Sequence, residues 1–260
     1  MEWEIYTFMK RLDFEKQLNS LLEIQKFKDY CPNGVQIEGK DKIKKVAFSV
    51  SASLEAIQKA IEWGADALIV HHGILWNHDG VSVIKGPLKE KISLTLKNNL
   101  NLFAYHLPLD AHLELGNAAQ LAKSLGAQDI LPFGEYKGSF VGVKAEFKKS
   151  HKINDLIKTL EKQCRRNVQV AKCHSDLVKT ISIVTGSGAN YYKESFDAGI
   201  DVHITGEMSE YHWHGAKELG IHILAGGHHA TERFGVLALA DYVKNNLKLE
   251  VTFFDSDNPI

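Results

Sequence analysis

The sequence predicts an α/β protein made from a duplicated α/β unit, and three observations carry that expectation. Val46–His72 (VAFSVSASLEAIQKAIEWGADALIVHH) aligns without gaps with Ile181–Glu207 (ISIVTGSGANYYKESFDAGIDVHITGE) at an offset of 135 residues. Each copy reads as strand, small-residue turn, helix, Gly-x-Asp and strand. The stretches downstream of each copy also correspond, because NLNLFAYHLPLDAHLELGNAAQLAKSLG and GIHILAGGHHATERFGVLALADYV both read as strand, polar loop and helix.

Taken in order, VAFSV and ISIVT are short runs rich in β-branched and aromatic residues, which favour a pleated strand. The stretches ending at Gly64 and Gly199 open with turn residues and continue as amphipathic helices that glycine stops. ALIV and VHIT are short apolar runs, the pattern of parallel strands buried on both faces. Repeats of about 1–133 and 179–260 then form one compact unit over 1–260. The segment 134–178 joins them, with a strand in GSFVGVKAEF and a helix in INDLIKTLEKQC, and is short for an independent core.

Composition narrows the class. An apolar content of 44% supplies a proper core, and 31 basic residues against 32 acidic ones leave no global field toward nucleic acid or anionic lipid. Acidic residues interrupt the apolar ones near the N-terminus, and no run reaches membrane-spanning length, so a soluble cytoplasmic protein is expected. Cys31, Cys164 and Cys173 are odd in number and widely spaced, which suits neither a disulfide framework nor a CxxC knuckle.

The chemically loaded residues fall at the carboxyl ends of predicted strands, the edge where open α/β sheets bind ligands. His71 and His72 end one strand; Gly206 and Glu207 end its counterpart. His106 and Asp110 stand four apart in one following loop, as do His228 and Glu232 in the other. Repeats packed about a pseudo-two-fold axis would bring these edges together. His71, His72, Asp110, His228 and Glu232 supply three imidazoles and two carboxylates without thiolate. That set suits zinc, iron, manganese or nickel, and its size suits two ions sharing a carboxylate.

Local sequence sets conditions on this reading. Adjacent histidines on a strand point to opposite faces, so both ligate only if the chain leaves the strand there, which Gly73 permits. Pro108 places His106 and Asp110 in an irregular loop. Gly226 and Gly227 turn the backbone before His228, and Thr231 caps a helix with Glu232 in its first turn. Glu207 and His214 read either as partners of the ligands or acid/base groups, or as a solvated helix start; His106 is a proton-transfer candidate by repeat symmetry. TGSGAN (Thr185–Asn190) reads as a phosphate cradle or simply a tight turn. Trp76 and Trp213 read as stacking or packing residues. His78, His112, His212 and His229 flank the loops as substrate-facing or exposed residues, whereas His151, His174, His203 and His222 lack such a context.

HHGILW, YHLPLD, ITGEMSEYHWHGA and AGGHHATERFG, with CPNGVQI near the start and VTFFDSDNP at the end, resemble the signature set of the NGG-one-interacting-factor-three-like family, also called GTP cyclohydrolase 1 type 2 homologues. The resemblance spans nearly the whole chain. It implies two intertwined halves with mixed sheets around a dinuclear metal centre, ligands at the same five residues, and a homohexameric ring. Gly73-Ile74 replaces the more usual proline-leucine after the histidine pair. The implied activity is GTP cyclohydrolase-like: metal-activated water opens the imidazole ring of a nucleotide or related heterocycle, with Glu207 or His106 moving protons. A non-catalytic metal-binding adaptor and a two-metal phosphoesterase are the alternatives.

Overall fold

A computed structural model of the chain describes residues 8–77, 83–173 and 175–260; His78 and His174 lie outside the described residues. The fold is mixed α/β with several sheets, and the chain divides into two compact units. Unit 1 comprises Met1–Leu109 and Val236–Asp257, and unit 2 comprises Asp110–Gly235 and Asn258–Ile260.

Unit 1 is built on a five-stranded sheet. Its strands are β2 (Gly34–Ile37), β4 (Lys45–Ser51), β5 (Ala67–His72), β6 (Asn101–Ala104) and β13 (Glu250–Phe253), in the order β13-β4-β5-β6-β2. All neighbours run parallel except β2, which pairs antiparallel with β6. A separate two-stranded pair joins β1 (Met9–Lys10) to β3 (Lys42–Ile43). Val46, Ala47, Phe48, Ser49 and Val50 are all buried, as a parallel strand covered on both faces requires. Helix α1 (Arg11–Leu21) buries Phe14 and Leu18, four residues apart and so on one face. Helix α2 (Leu54–Glu62) starts where the Ser53 hydroxyl accepts from the Ala56 amide at 3.0 Å. Helix α3 (Gly86–Lys97) leads into β6.

Unit 2 carries a six-stranded sheet. Its strands are β7 (Gln128–Tyr136), β8 (Ser139–Lys152), β9 (Gln169–Ala171), β10 (Leu177–Val184), β11 (Val202–Thr205) and β12 (His222–Ala225), ordered β7-β8-β10-β11-β12-β9. The central three are parallel; β8 and β9 flank them antiparallel. Helices α5 (Asn117–Ser124) and α6 (Ile153–Cys164) bury Leu121, Ala122, Leu156 and Leu160 in the same cluster as Ile181, Ile183, Val202 and Ile204. Tyr192 from α7 (Tyr192–Asp197) and Ala216 from α8 (Glu210–Leu219) form another cluster with Ile221 and Ile223.

Segment 134–178, read from sequence as a connection, therefore supplies β8, α6, β9 and part of β7 to unit 2. The reason is hydrogen-bonding geometry: β10 and β12 each have an open edge, and these antiparallel strands occupy both.

The aligned stretches build the same device in each unit. Gly64 and Gly199 take positive φ, 75° and 69°, and end their helices. Two residues on, the Asp66 carboxylate accepts from the Lys44 and Lys45 amides at 2.9 and 3.0 Å. Asp201, its counterpart, accepts from the Lys179 and Thr180 amides at 2.7 and 2.9 Å. In both cases a carboxylate at the start of the second strand satisfies donors at the start of the first, which explains the repeated Gly-x-Asp. Burial alone would raise the Asp66 pKa; the Lys40 ammonium and the two amides outweigh it and hold it below the usual value.

Candidate metal centre

In unit 1 the ladder between β5 and β6 ends at Val70 and Ala104. His71 and His72 project just beyond it, although β5 itself runs through His72, which pairs with Ser51. The expected departure from the strand before His72 is thus not where the turn comes. The rings nevertheless lie near each other, with centroids 4.6 Å apart, and one ligand atom from each of His71, His72 and His106 lies within 4.8 Å of the other two. Gly73 serves another purpose than the expected chain freedom: a Cβ there would lie 2.3 Å from Gln36 Oε1. That oxygen accepts from the Ile74 and Leu75 amides at 2.8 and 3.2 Å and holds the loop after the histidine pair.

Each imidazole is anchored through Nδ1. That of His71 bonds the Tyr105 carbonyl at 2.9 Å, that of His72 meets Ser51 Oγ at 3.0 Å, and that of His106 donates to Asp29 Oδ1 at 2.9 Å. Anchoring one ring nitrogen fixes the tautomer and presents the other, the usual arrangement behind metal-binding histidine. Burial pushes the Asp29 pKa up, but bonds from His106, the Cys31 amide and Asn33 outweigh it, and the carboxyl sits below its ordinary value. Tyr30 and Trp76 stand edge-on to His106 with centroids at 5.0 and 5.3 Å. Trp76 donates its indole N–H to the Gly73 carbonyl at 3.1 Å and so packs within this wall.

In unit 2 the three parallel strands end in loops joined by backbone bonds. The Gly206 and Glu207 amides donate to the Gly186 carbonyl, and the Gly227 amide donates to Gly206. Gly227 takes φ 99°, the turn expected before His228. Helix α9 (His228–Thr231) follows, then Glu232, then α10 (Arg233–Leu247). His228 Nε2 lies 3.2 Å from Glu232 Oε1, and Nδ1 lies 3.0 Å from Glu207 Oε1. Burial would lower the His228 pKa, yet these carboxylates raise it to about 9. Glu207 also accepts from Ser187, which is the main reason its own pKa falls.

Asp110 is buried, and its Oδ1 accepts from Asn117 at 2.8 Å and Thr185 at 3.0 Å. It lies in α4 (Leu107–Ala111), a short helix rather than the expected irregular loop, because Pro108 fits a first helical turn where its missing N–H is not needed. The Thr231 hydroxyl donates to the His228 carbonyl and accepts from the Gly186 amide instead of serving as the expected helix cap.

TGSGAN follows β10 directly. Gly186, at φ 59°, leaves room where a Cβ would come 2.3 Å from Glu232 Oε1 and 3.0 Å from His228 Nε2. His214 is not brought to these groups; it is exposed and pairs with Glu210 on its own helix at 2.9 Å. His212 is buried, contrary to its expected exposure, because it closes the capping box with Ser209 and bonds Asn190 Oδ1 at 3.0 Å. His203 and His222 are buried structural residues, and His229 is buried as well. Asp29, Ser51, Gln36 and Asn117 went unseen in the sequence; the one available signal was the position of Asp29 just before CPNGVQI.

Neither unit offers a thiolate in these clusters; their donors are imidazole and carboxylate, which fit a borderline or hard divalent ion. An α/β protein with such clusters at its strand ends is, as a class, a candidate metal-binding protein. The chain belongs to the Duf34/NIF3 (NGG1p interacting factor 3) family, whose model matches residues 9–259.

Two relatives called GTP cyclohydrolase 1 type 2 homolog are similar over nearly their whole length. The one from Vibrio cholerae is 39% identical, covering 97% of this chain and 100% of its own. That from Pasteurella multocida is 40% identical, covering 96% and 100%. Among solved structures, TTHA1606 from Thermus thermophilus superimposes with a TM-score of 0.88 at 32% identity, covering 97% of this chain and 100% of that one.

Proposed function

We propose that the protein binds two divalent ions through His71, His72, Asp110, His228 and Glu232, and is a hydrolase acting on a nucleotide or related heterocycle. The observation that carries this reading is the anchoring of the donors. His71 and His72 are held through Nδ1 by Tyr105 and Ser51, His228 through Nδ1 by Glu207, and Asp110 through Oδ1 by Asn117 and Thr185. Such support is what metal ligands need and surface histidines lack. Two divalent ions held by these residues would supply Lewis acidity and activate water for hydrolysis.

The residues of this chain do the rest. Glu207 has a side chain 45% exposed, so it reaches solvent while it orients His228, and we assign it proton transfer at its carboxylate. Gly186 and Gly206 keep the loop backbones close enough that no side chain intrudes beside Glu232 and His228. The names of the relatives point to GTP as the first substrate to try, with ring opening and formate release as the reaction. The family resemblance adds a homohexamer to the proposal.

The experiment is turnover of GTP, followed by a panel of nucleotides and phosphoesters, by the metal-loaded chain and by Asp110→Ala. Formate release by the wild type that falls by about a hundredfold or more in the variant is expected, since the lost carboxylate removes a ligand. No formate from GTP together with no hydrolysis product from any other compound, or equal turnover by both proteins, contradicts the hydrolase reading.

A further inference from the structure

Arg166, in unit 2, is a cation whose counter-charge the fold does not supply. Its side chain is half-buried, and its Nε and Nη1 lie away from solvent without a hydrogen-bond partner among the described residues. No described carboxylate forms an ion pair with it. Nor does the nearby thiol: burial pushes Cys164 up to about 12, against the pull of the Arg166 and Arg233 guanidinium groups, so it stays neutral. Donors buried without acceptors are costly, and a fold that keeps them leaves the acceptor to come from elsewhere.

The chain places this cation at the edge that carries the candidate site. Arg165 ends α6 in the left-handed region at φ 56°, and the Arg166 amide turns back to the Glu161 carbonyl at 3.1 Å. β9 then pairs antiparallel with β12, Gln169 opposite Ala225, so the residues just before Gln169 lie beyond the carboxyl end of β12. His228 follows from that same end. Gly227 makes room for the side chain, because a Cβ there would stand 2.4 Å from Arg166 Nη1 and 2.7 Å from its Cδ. The guanidinium thus rests on the turn that immediately precedes His228.

We propose that Arg166 is an anion-binding residue beside His228 and receives a phosphate group of the substrate. The proposal rests on the reading of the substrate as a nucleotide and adds the side chain that recognises its phosphates. Glu207 and Glu232 flank His228 with negative charge, which repels an approaching phosphate. A guanidinium on the same turn offsets that charge and aims planar N–H donors at phosphate oxygens, a recognition that a lysine ammonium reproduces only as a point charge.

The test is equilibrium dialysis of GTP, guanosine and pyrophosphate against the wild type, Arg166→Gln and Arg166→Lys. Each chain is used zinc-loaded and again after chelator treatment, which separates phosphate held by a metal ion from phosphate held by the arginine. Arg166→Gln is expected to weaken GTP and pyrophosphate binding by about tenfold or more, the worth of a hydrogen bond to a charged group. Guanosine affinity and zinc content should stay within about twofold of the wild type, and Arg166→Lys should recover part of the loss. Equal weakening of GTP and guanosine, or loss of zinc, would show that Arg166 merely supports the turn at Gly227 and would overturn the proposal. So would unchanged affinity for GTP and pyrophosphate, or a wild type that binds neither. A wild type that binds pyrophosphate through Arg166 but neither GTP nor guanosine leaves the phosphate site standing and removes the nucleotide reading instead.

Discussion

Gly186 shows how a single missing methyl group governs chemistry. A Cβ at this position would collide with Glu232 Oε1 at 2.3 Å, and φ of 59° disfavours any larger residue independently. Gly186→Ala is therefore expected to leave the secondary structure intact by circular dichroism while lowering metal affinity by about tenfold, as disturbed ligand support does. Unchanged affinity in a calorimetric titration would refute the assignment of that glycine.

His203 is the opposite case, a histidine with no ligand role. It is fully buried, its Nε2 donates to the Gly188 carbonyl at 3.0 Å, and its Nδ1 faces Ser182 and Ser195. Burial pushes its pKa down to about 4. The folded state thus resists a proton that the unfolded chain accepts near 6.5, so this stability is complete above pH 6.5 and is lost as the pH falls toward 4. At pH 5 the loss amounts to about 2 kcal/mol. Urea unfolding of wild type and His203→Gln at pH 7.5 and 5 checks it, with the smaller pH dependence expected in the variant.

At this scale the sequence was legible only in part. The paired histidines, Asp110, His228 and Glu232 stood out because their spacing repeats, whereas Asp29 and Ser51 support the imidazoles from distant strands and loops. Nothing in a linear pattern announces a contact between residues 77 positions apart, such as Asp29 and His106.

Among the elements, the strand-helix-strand segments β4-α2-β5 and β10-α7-β11 were readable because period, stop glycine and Gly-x-Asp agree with one another. The roles of Asp66 and Asp201 explain that agreement, since each satisfies two backbone amides at a strand start. Removing either carboxylate leaves those donors without it, so Asp201→Ala is expected to destabilise the fold by about 2 kcal/mol, measured by urea unfolding. A change below about 0.5 kcal/mol would show that solvent replaces the carboxylate freely. Less legible was where elements find their partners, although the strand in GSFVGVKAEF and the helix in INDLIKTLEKQC are present as β8 and α6. β8 and β9 belong to the unit 2 sheet because β10 and β12 have edges to fill, and edge pairing leaves no local signature. α4 forms around Pro108 because proline is hostile to a helix interior but not to its first turn.

For the molecule as a whole, family membership and the arrangement of imidazoles and carboxylates join two independent lines: one from likeness across residues 9–259, the other from the three clustered imidazoles of unit 1 and the anchored His228 and Glu232 of unit 2. No described helix is long and apolar enough to cross a membrane. The homohexamer proposed on the family resemblance is checked by light scattering, where a mass of six chains is expected and a monomer would contradict it. The most direct measurement is the metal content of the purified chain by mass spectrometry, beside an Asp110→Ala/Glu232→Ala variant confirmed to be folded. Our account predicts about two divalent ions per chain in the wild type and at least one fewer in the variant. A wild type free of metal after exposure to zinc, iron, manganese and nickel, or a variant with undiminished content, would contradict it.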